Sequence, residues 1–350
     1  MSRRLLVFNL RTDADDPLLG FTTVWLNALA QHYDAIDVLS THVGRLAVAP
    51  NVRVYSVGRK QGAGRVRALG AFYARLLRLL VAHRYVACFA HMQPLFAVLA
   101  GVVLWAFGIK QTLWYTHKQR TRTLAWATRL SWRVVSADAT SFPIATPKLR
   151  PLGHGIDTVF YTPDGTAPAS PARIVYVARL MPIKRHDLLL RALKGLPTAH
   201  AVLVGDVPSG EDVGYKHRLQ ALAQELGLGE RVHFAGALTP EGVRDAYRAA
   251  TLAVNLSPVG LFDKAALEAM ACAVPTVTLN AAFAPVMGEH APRLLADEAS
   301  LADAMARLLA LPASERASIG RTLREGVQAQ HSLPTLITRL MHVLETGETG

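Results

Sequence analysis

Cysteine is scarce in this chain: its 350 residues hold two, Cys88 and Cys272, far apart and each inside an apolar run. That excludes a disulfide framework and a cysteine-based zinc site. Residues 1–15 lack an apolar run of signal-peptide length, and MSRRLLVFNL reads as a first buried strand, so the expected compartment is the cytoplasm. Charged residues make up only 18% against 51% hydrophobic, with a mean hydropathy of +0.21, too apolar for a disordered chain and ample for two buried cores. At about 150 residues per domain the length favours two domains. No repeat or low-complexity tract is visible.

Glutamate is missing altogether from residues 1–150, where six aspartates face 20 Lys and Arg, a balance of +14. Residues 151–350 carry 18 Lys and Arg against 20 acidic residues, a balance of −2. The whole basic excess of the +12 chain therefore lies in its first half. Such asymmetry suits an anionic partner, nucleic acid or an acidic membrane surface; free use of Arg by a GC-rich genome would produce it too. No recognised nucleic-acid motif accompanies the charge, so nucleic acid is not expected as a partner.

Short runs rich in β-branched residues alternate with longer helical patterns, which points to parallel βαβ units. The expected strands are 5–10, 36–40, 52–57, 86–91 and 111–117 in the first half. In the second half they are 173–179, 201–205, 231–236, 252–257 and 274–279. Between the sets lies TPDGTAPASPA (162–172), dense in Pro, Gly, Ala and Ser, which reads as an interdomain linker. Residues 92–109 run 18 positions without a charge, the lower limit for a bilayer span. Their place between two strands, with Pro94, Gly101 and Gly108 inside, favours a buried core helix.

Two stretches carry chemistry. In RIVYVARLMPIKRHDLLLRALKG (173–195) a buried strand ends at Arg179, and Lys184 precedes a helix starting near His186. Strand end, loop and helix N-terminus together favour anions. Arg as a planar fork and Lys as a point charge could clamp a diphosphate there; both would also suit a solvated loop. In LAVNLSPVGLFDKAALEAMACAVPTV (252–277) Gly260 allows close backbone approach before a helix starting near Asp263. Glu268 lies inside that apolar helix and needs a partner, either the vicinal hydroxyls of a ribose or a neighbouring Arg.

ARLMPIK…DLLLRAL, followed by LVGD, RVHFAG and ALEAMACAVPTV, resembles family 4 of the retaining, sugar-nucleotide-dependent glycosyltransferases, a bacterial group-1-type glycosyltransferase. GHGIDTVFYTP (153–163) and Gly20, in a loop after the first strand, extend the match. The resemblance implies the α/β GT-B fold: two Rossmann-like doubly wound parallel-sheet domains facing across a cleft. Its expected bounds are 1–165 for the acceptor-side domain, 166–331 for the sugar-nucleotide domain, and 332–350 for a last helix crossing back. By position, Arg179 and Lys184 match the pair that grips the donor diphosphate, and Glu268 the second Glu of the Glu-x7-Glu motif, which binds the ribose. Gly20 matches the loop whose backbone approaches the diphosphate. His117, ending QTLWYTH, matches the histidine that reaches the transferred sugar, with His91 the weaker competitor. Catalysis would rest on His117, Arg179 and Lys184, and donor binding on Gly20, Arg179, Lys184, Gly260, Leu261, Phe262, Leu267 and Glu268. The chain departs from the family at Gly260, where the first Glu of the motif is expected, so the sugar contact must be remade by backbone or by Asp263.

The implied activity is transfer of a sugar from a nucleotide-diphosphate donor to a hydroxyl of a glycan or lipid-linked acceptor, as in polysaccharide or glycoconjugate synthesis. No metal and no cofactor are implied; the sugar nucleotide is a substrate. Two rivals share the fold: a sugar-nucleotide 2-epimerase, and an inactive binding or assembly protein for which Gly260 argues. The basic half is expected to meet an anionic membrane through two segments, 64–84 and 117–135. In the first, Val66, Leu69, Phe72, Tyr73, Leu76, Leu77 and Leu80 would form the apolar face of an amphipathic helix, with Arg67, Arg75 and Arg78 opposite. The second interleaves five cations with Trp126 and Trp132.

Overall fold

The computed structural model describes residues 3–16, 19–57, 64–166, 170–208 and 214–349. The chain divides into two compact units, one made of residues up to Gly153 together with those from Leu336 on, the other of His154–Thr335. In the first unit, β1 (Arg4–Thr12), β2 (Ala35–Val43), β3 (Val52–Ser56), β4 (Ala87–His91), β5 (Gln111–Trp114), β6 (Arg133–Ser136) and β7 (Leu149–Pro151) form one sheet in the order β3-β2-β1-β4-β5-β6-β7. Every pairing is parallel. Parallel strands are covered on both faces, which is why Leu5, Leu6, Val7 and Phe8 in β1 and all five residues of β4 are buried.

One face of this sheet is covered by the helices Arg65–Ala82, Pro94–Ala106 and Arg122–Leu130. Phe72, Leu76, Leu79 and Leu80 from the first, Phe96, Ala97, Ala100 and Leu104 from the second, and Leu124 and Ala127 from the third share one core with Leu6, Phe8, Cys88, Leu113 and Val134. Each large side chain buried there contributes about 1.5–3 kcal/mol. Helix Pro94–Ala106 touches both neighbours: Tyr73 donates to the Leu99 carbonyl at 3.0 Å, and a Cβ at Gly101 would sit 3.0 Å from Leu130 Cβ.

The structure corrects the expected helices in three ways. The buried ridge of Arg65–Ala82 runs through Phe72, Leu76, Leu79 and Leu80, whereas Val66, Leu69 and Leu77, expected on it, are exposed. The segment 117–135 is helical only over Arg122–Leu130; Arg133–Ser136 pairs as β6. Within residues 92–109 only Pro94–Ala106 is helical, with its inner side in the core and its outer side exposing Leu95, Val102 and Trp105. Among the described residues no helix is long and apolar enough to cross a membrane.

The second unit holds β8 (Arg173–Val177), β9 (His200–Val204), β10 (Val232–Gly236), β11 (Leu252–Asn255) and β12 (Thr276–Thr278), parallel, in the order β10-β9-β8-β11-β12. Both sheets are doubly wound, their order reversing between β1 and β4 and between β8 and β11. The Pro- and Gly-rich stretch 162–172 is not where the units meet, and its residues 167–169 lie outside the described residues. Residues 154–164 are tied into the second unit. The Ile156 N–H donates to the His331 carbonyl and the Leu333 N–H to the Ile156 carbonyl, Arg324 donates to the Thr158 and Tyr161 carbonyls, and Arg248 to that of Thr162. The last helix, Leu333–Thr346, passes into the first unit, where Glu348 accepts from Arg133 and Arg150.

Candidate functional site

Ligands of doubly wound sheets bind outside the carboxyl ends of the strands, at the place where strand order reverses. In the second unit β8 and β11 flank that place, and the two stretches expected to carry chemistry leave from their ends. After β8 the chain runs through Arg179 into a short 3-10 turn, Pro182–Lys184, and then the helix His186–Leu193. Gly205, after β9, crosses this loop so closely that a Cβ would lie 2.1 Å from the Ala178 carbonyl oxygen. Tyr176 locks the turn from below by donating to the Lys184 carbonyl at 2.6 Å.

The two expected clamp residues are in different states. Arg179 is exposed and has no hydrogen bond or ion pair among the described residues. Lys184 is buried, and its Nζ lies 2.7 Å from both carboxylate oxygens of Asp263 and 3.0 Å from Ser257 Oγ. Asn255 Nδ2 donates to the same carboxylate at 2.9 Å, as does the Ser257 hydroxyl. Beneath Lys184 the His186 ring lies on Tyr176; burial, helped by the lysine charge, lowers its pKa to about 4, so it is neutral at pH 7. The site thus presents one guanidinium with no partner among the described residues, one lysine neutralised by its counter-ion, and two helix N-termini, the second at Lys264–Ala271.

The loop between β11 and that helix turns at Gly260 with φ of +88°, a conformation costly for any side chain with a Cβ. Phe262 and Leu267 were expected near a donor, but both side chains are buried in the core, 6% and 0% exposed, so only their backbone can face a ligand. Phe262 packs between His154 and Phe283, and the half-buried Leu261 donates its N–H to Pro258. Glu268 is buried, with Lys264 at 3.5 Å on the same helix face. Its charge, after burial itself, pushes the Tyr161 phenol pKa up. Its nearest charged partner is therefore a lysine, where an arginine had been the expected alternative.

Gly20 and His117 belong to the first unit. A Cβ at Gly20 would approach the Asp16 and Ala14 carbonyl oxygens to 2.7 and 2.9 Å; the space it keeps free is filled by the loop's own backbone. His117 lies just past β5 and is exposed, so it is not a core histidine. Its Nδ1 accepts from the Gln119 N–H at 3.2 Å, which in the neutral ring places the proton on Nε2. His91, at the end of β4, is the buried one. Its Nδ1 bonds Asn9 Oδ1 at 3.1 Å, Phe21, Trp25, Phe89 and Trp114 surround it, and burial lowers its pKa to about 3.

Sequence reasoning passed over Asp13 and Asp15, an Asp-x-Asp pair of the type that can hold a divalent cation. Here Arg45 takes the Asp15 carboxylate and the Asp13 carboxylate accepts from the backbone of Asp15 and Arg45. Among the described residues no group of three or more His, Cys, Asp or Glu is placed to hold a metal. Sequence reasoning also missed the Asn255 and Ser257 contribution, although two polar residues closing the apolar run LAVNLS were a signal.

Residues 171–311 match the family model described as glycosyl transferases group 1. That match lies within the second unit and takes in Arg179, Lys184, Gly260 and Glu268. Over 140 residues, 38% of the chain, it is 37% identical to a D-inositol 3-phosphate glycosyltransferase from Mycobacterium sp. (strain KMS), covering 32% of that protein. Over 209 residues, 53% of the chain, it is 32% identical to the protein of the same name from Saccharomonospora viridis, covering 48% of it. The chain thus spans a third to a half of the length of these relatives. Among solved structures, sucrose-phosphate synthase from Thermosynechococcus elongatus superposes with a TM-score of 0.78 at 19% identity, over 97% of this chain and 98% of that one. Anabaena HepE, in complex with UDP and glucose, superposes with a TM-score of 0.76 at 18% identity, over 99% and 100%. The fold of this chain is that of GT-B glycosyltransferases.

Proposed function

We propose that this chain is a retaining glycosyltransferase that moves a sugar from a nucleoside-diphosphate donor to a hydroxyl of a glycan or lipid-linked acceptor. The observation that carries it is the exposed Arg179, without a partner among the described residues, on the same loop as Lys184 at the β8–β11 switch point, within the stretch that matches the group 1 glycosyltransferase model. HepE, of the same fold, binds UDP, which makes a UDP-sugar the first donor to test.

In the reaction the bond from the anomeric carbon to the diphosphate oxygen breaks while the acceptor oxygen bonds to the same face of that carbon. The acceptor proton passes to the departing phosphate. Charge develops on the leaving diphosphate, where Arg179, Lys184 and the helix N-termini supply fixed positive potential. Glu268 would hold the ribose hydroxyls, and His117 Nε2–H the transferred sugar. The reaction so drawn needs no metal, and transfer should persist in excess EDTA. Incubation with UDP-, GDP- and ADP-sugars, following nucleoside-diphosphate release, tests the reading. Gly260 favours a second reading, an inactive binding protein of the same fold, which would bind a nucleoside diphosphate yet release none from any donor.

For the acceptor side we infer docking on an anionic membrane. The outer faces of the helices Arg65–Ala82, Pro94–Ala106 and Arg122–Leu130 expose Val66, Val81, Val102, Trp105 and Trp126, and none of the three contains an acidic residue. Apolar and aromatic groups among Arg and no counter-charge suit a lipid headgroup layer.

A further inference from the structure

The carboxylate absent at position 260 reappears three residues later, and there it is fully engaged. Asp263 stands before the helix Lys264–Ala271 with extended backbone, the place from which a short acidic side chain turns back to cap a helix, yet it makes no capping bond. It reaches instead to Lys184, both oxygens 2.7 Å from Nζ. Asn255 and Ser257, at the end of β11, donate to its Oδ2 and so fix the carboxylate from a second element. The lysine side chain is 10% exposed; an ammonium that deep needs an opposite charge and a full set of acceptors to be held in one place.

We propose that Asp263 is a positioning residue: it holds the Lys184 ammonium over the end of β8, where the donor diphosphate binds, and acts on the donor only through that lysine. The inference rests on the donor-site reading of Arg179 and Lys184. Lys184 spans both carboxylate oxygens, and two further donors occupy Oδ2, so little acceptor capacity is left for a sugar hydroxyl. Of the three Lys184 N–H groups, one kept by Asp263 fixes the side chain while another turns to the phosphate. This separates Asp263 from a carboxylate that touches the sugar in place of the Glu expected at 260.

The test is a double-mutant cycle read by calorimetric affinity for UDP, which contains no sugar, with GDP and ADP run alongside. Lys184→Met should weaken binding of the preferred diphosphate tenfold or more. Asp263→Asn should weaken it several-fold in the wild-type background and not at all in the Lys184→Met background, because a residue that acts through another has no effect once the other is gone. Asp263→Glu should recover part of the loss, and it serves as the informative variant if Asp263→Asn fails to fold. Unchanged or tighter diphosphate affinity in Asp263→Asn overturns the proposal, as does an equal loss in both backgrounds. In each of those cases a clear Lys184→Met defect leaves the donor-site reading standing. If Lys184→Met and Arg179→Ala both bind like wild type, or wild type binds no diphosphate, the donor site itself is misassigned and the proposal goes with it.

Discussion

His154 lies flat on Phe262, ring centroids 5.6 Å apart and planes within 8°, and its Nε2 meets the Phe262 carbonyl at 2.5 Å. The ring nitrogen must donate, since a carbonyl only accepts. One residue of the GHGID segment therefore grips the loop that bears Gly260 and leads to Asp263. Replacing His154 by Ala removes a hydrogen bond and a stacked ring pair, together worth about 2 kcal/mol. It should lower Tm and weaken UDP binding together, whereas His154→Phe, which keeps the stack, should lose less of each. Thermal melts with and without UDP measure both; an unchanged His154→Ala would mean the loop is held by other contacts.

The two clamp cations should separate by stability. Arg179→Ala removes an exposed side chain with no protein partner among the described residues. It should leave Tm within the range of surface substitutions while lowering turnover about 10²–10³-fold, the scale of one lost transition-state donor. Lys184→Met strands Asp263 without its counter-ion, a change that costs about 3 kcal/mol at buried pairs, so it should lose both turnover and stability. Near-wild-type kinetics in both variants would refute the clamp.

His117 gives a cleaner kinetic case because it is exposed. His117→Ala should reduce sugar transfer with diphosphate affinity and Tm both unchanged, since UDP lacks the group the imidazole is expected to meet. A matching drop in UDP affinity would move His117 from the sugar to the nucleotide.

All ten strands expected from the sequence are present, within a few residues of their ends, because buried parallel strands are continuous apolar runs with sharp polar borders. The two that went unseen, Arg133–Ser136 and Leu149–Pro151, are three or four residues long, and their flanking Arg and Trp masked the pattern. Arg179, Lys184 and Glu268 were singled out by their place at strand ends and in an apolar helix. The Lys184–Asp263 pair was not, since 79 residues separate its partners and a sequence shows each charge but not its neighbour. The burial of Leu267 and Phe262 was likewise hidden, because an apolar residue beside a motif reads the same whether it lines a ligand or fills a core.

Acid should destabilise the first unit through His91. Its folded pKa of about 3 lies below the ordinary 6.5 because burial disfavours the charged ring. Between those values the unfolded chain binds a proton that the folded chain refuses, so the stability present above pH 6.5 is lost as pH falls toward 3. The slope for one such group is about 1.4 kcal/mol per pH unit. Tm measured from pH 7.5 to 4.5 should fall less steeply in His91→Gln than in wild type, even if its starting value is lower. Parallel curves would show that the histidine does not set the acid response.

The membrane reading gains an apolar component from the structure. On charge alone, salt should release the protein from anionic lipid completely, as each Lys or Arg near the surface contributes about 1 kcal/mol that is screened within a Debye length. However, Trp105 is 81% exposed and Val66 85%, and both stand on helices whose inner faces alone serve the core. Side chains of that size, outside the core and among cations, can enter the headgroup layer and persist there when charge is screened. Sedimentation with liposomes should therefore require acidic lipid, weaken as salt is raised, and leave a salt-resistant fraction. Trp105→Ser should remove that fraction while sparing low-salt binding. Arg67→Ser with Arg78→Ser should do the reverse; Arg75 is left out because its guanidinium stacks on Tyr55 at 4.6 Å. Absence of binding to acidic vesicles at low salt would overturn the membrane reading and make a soluble acceptor the better assignment.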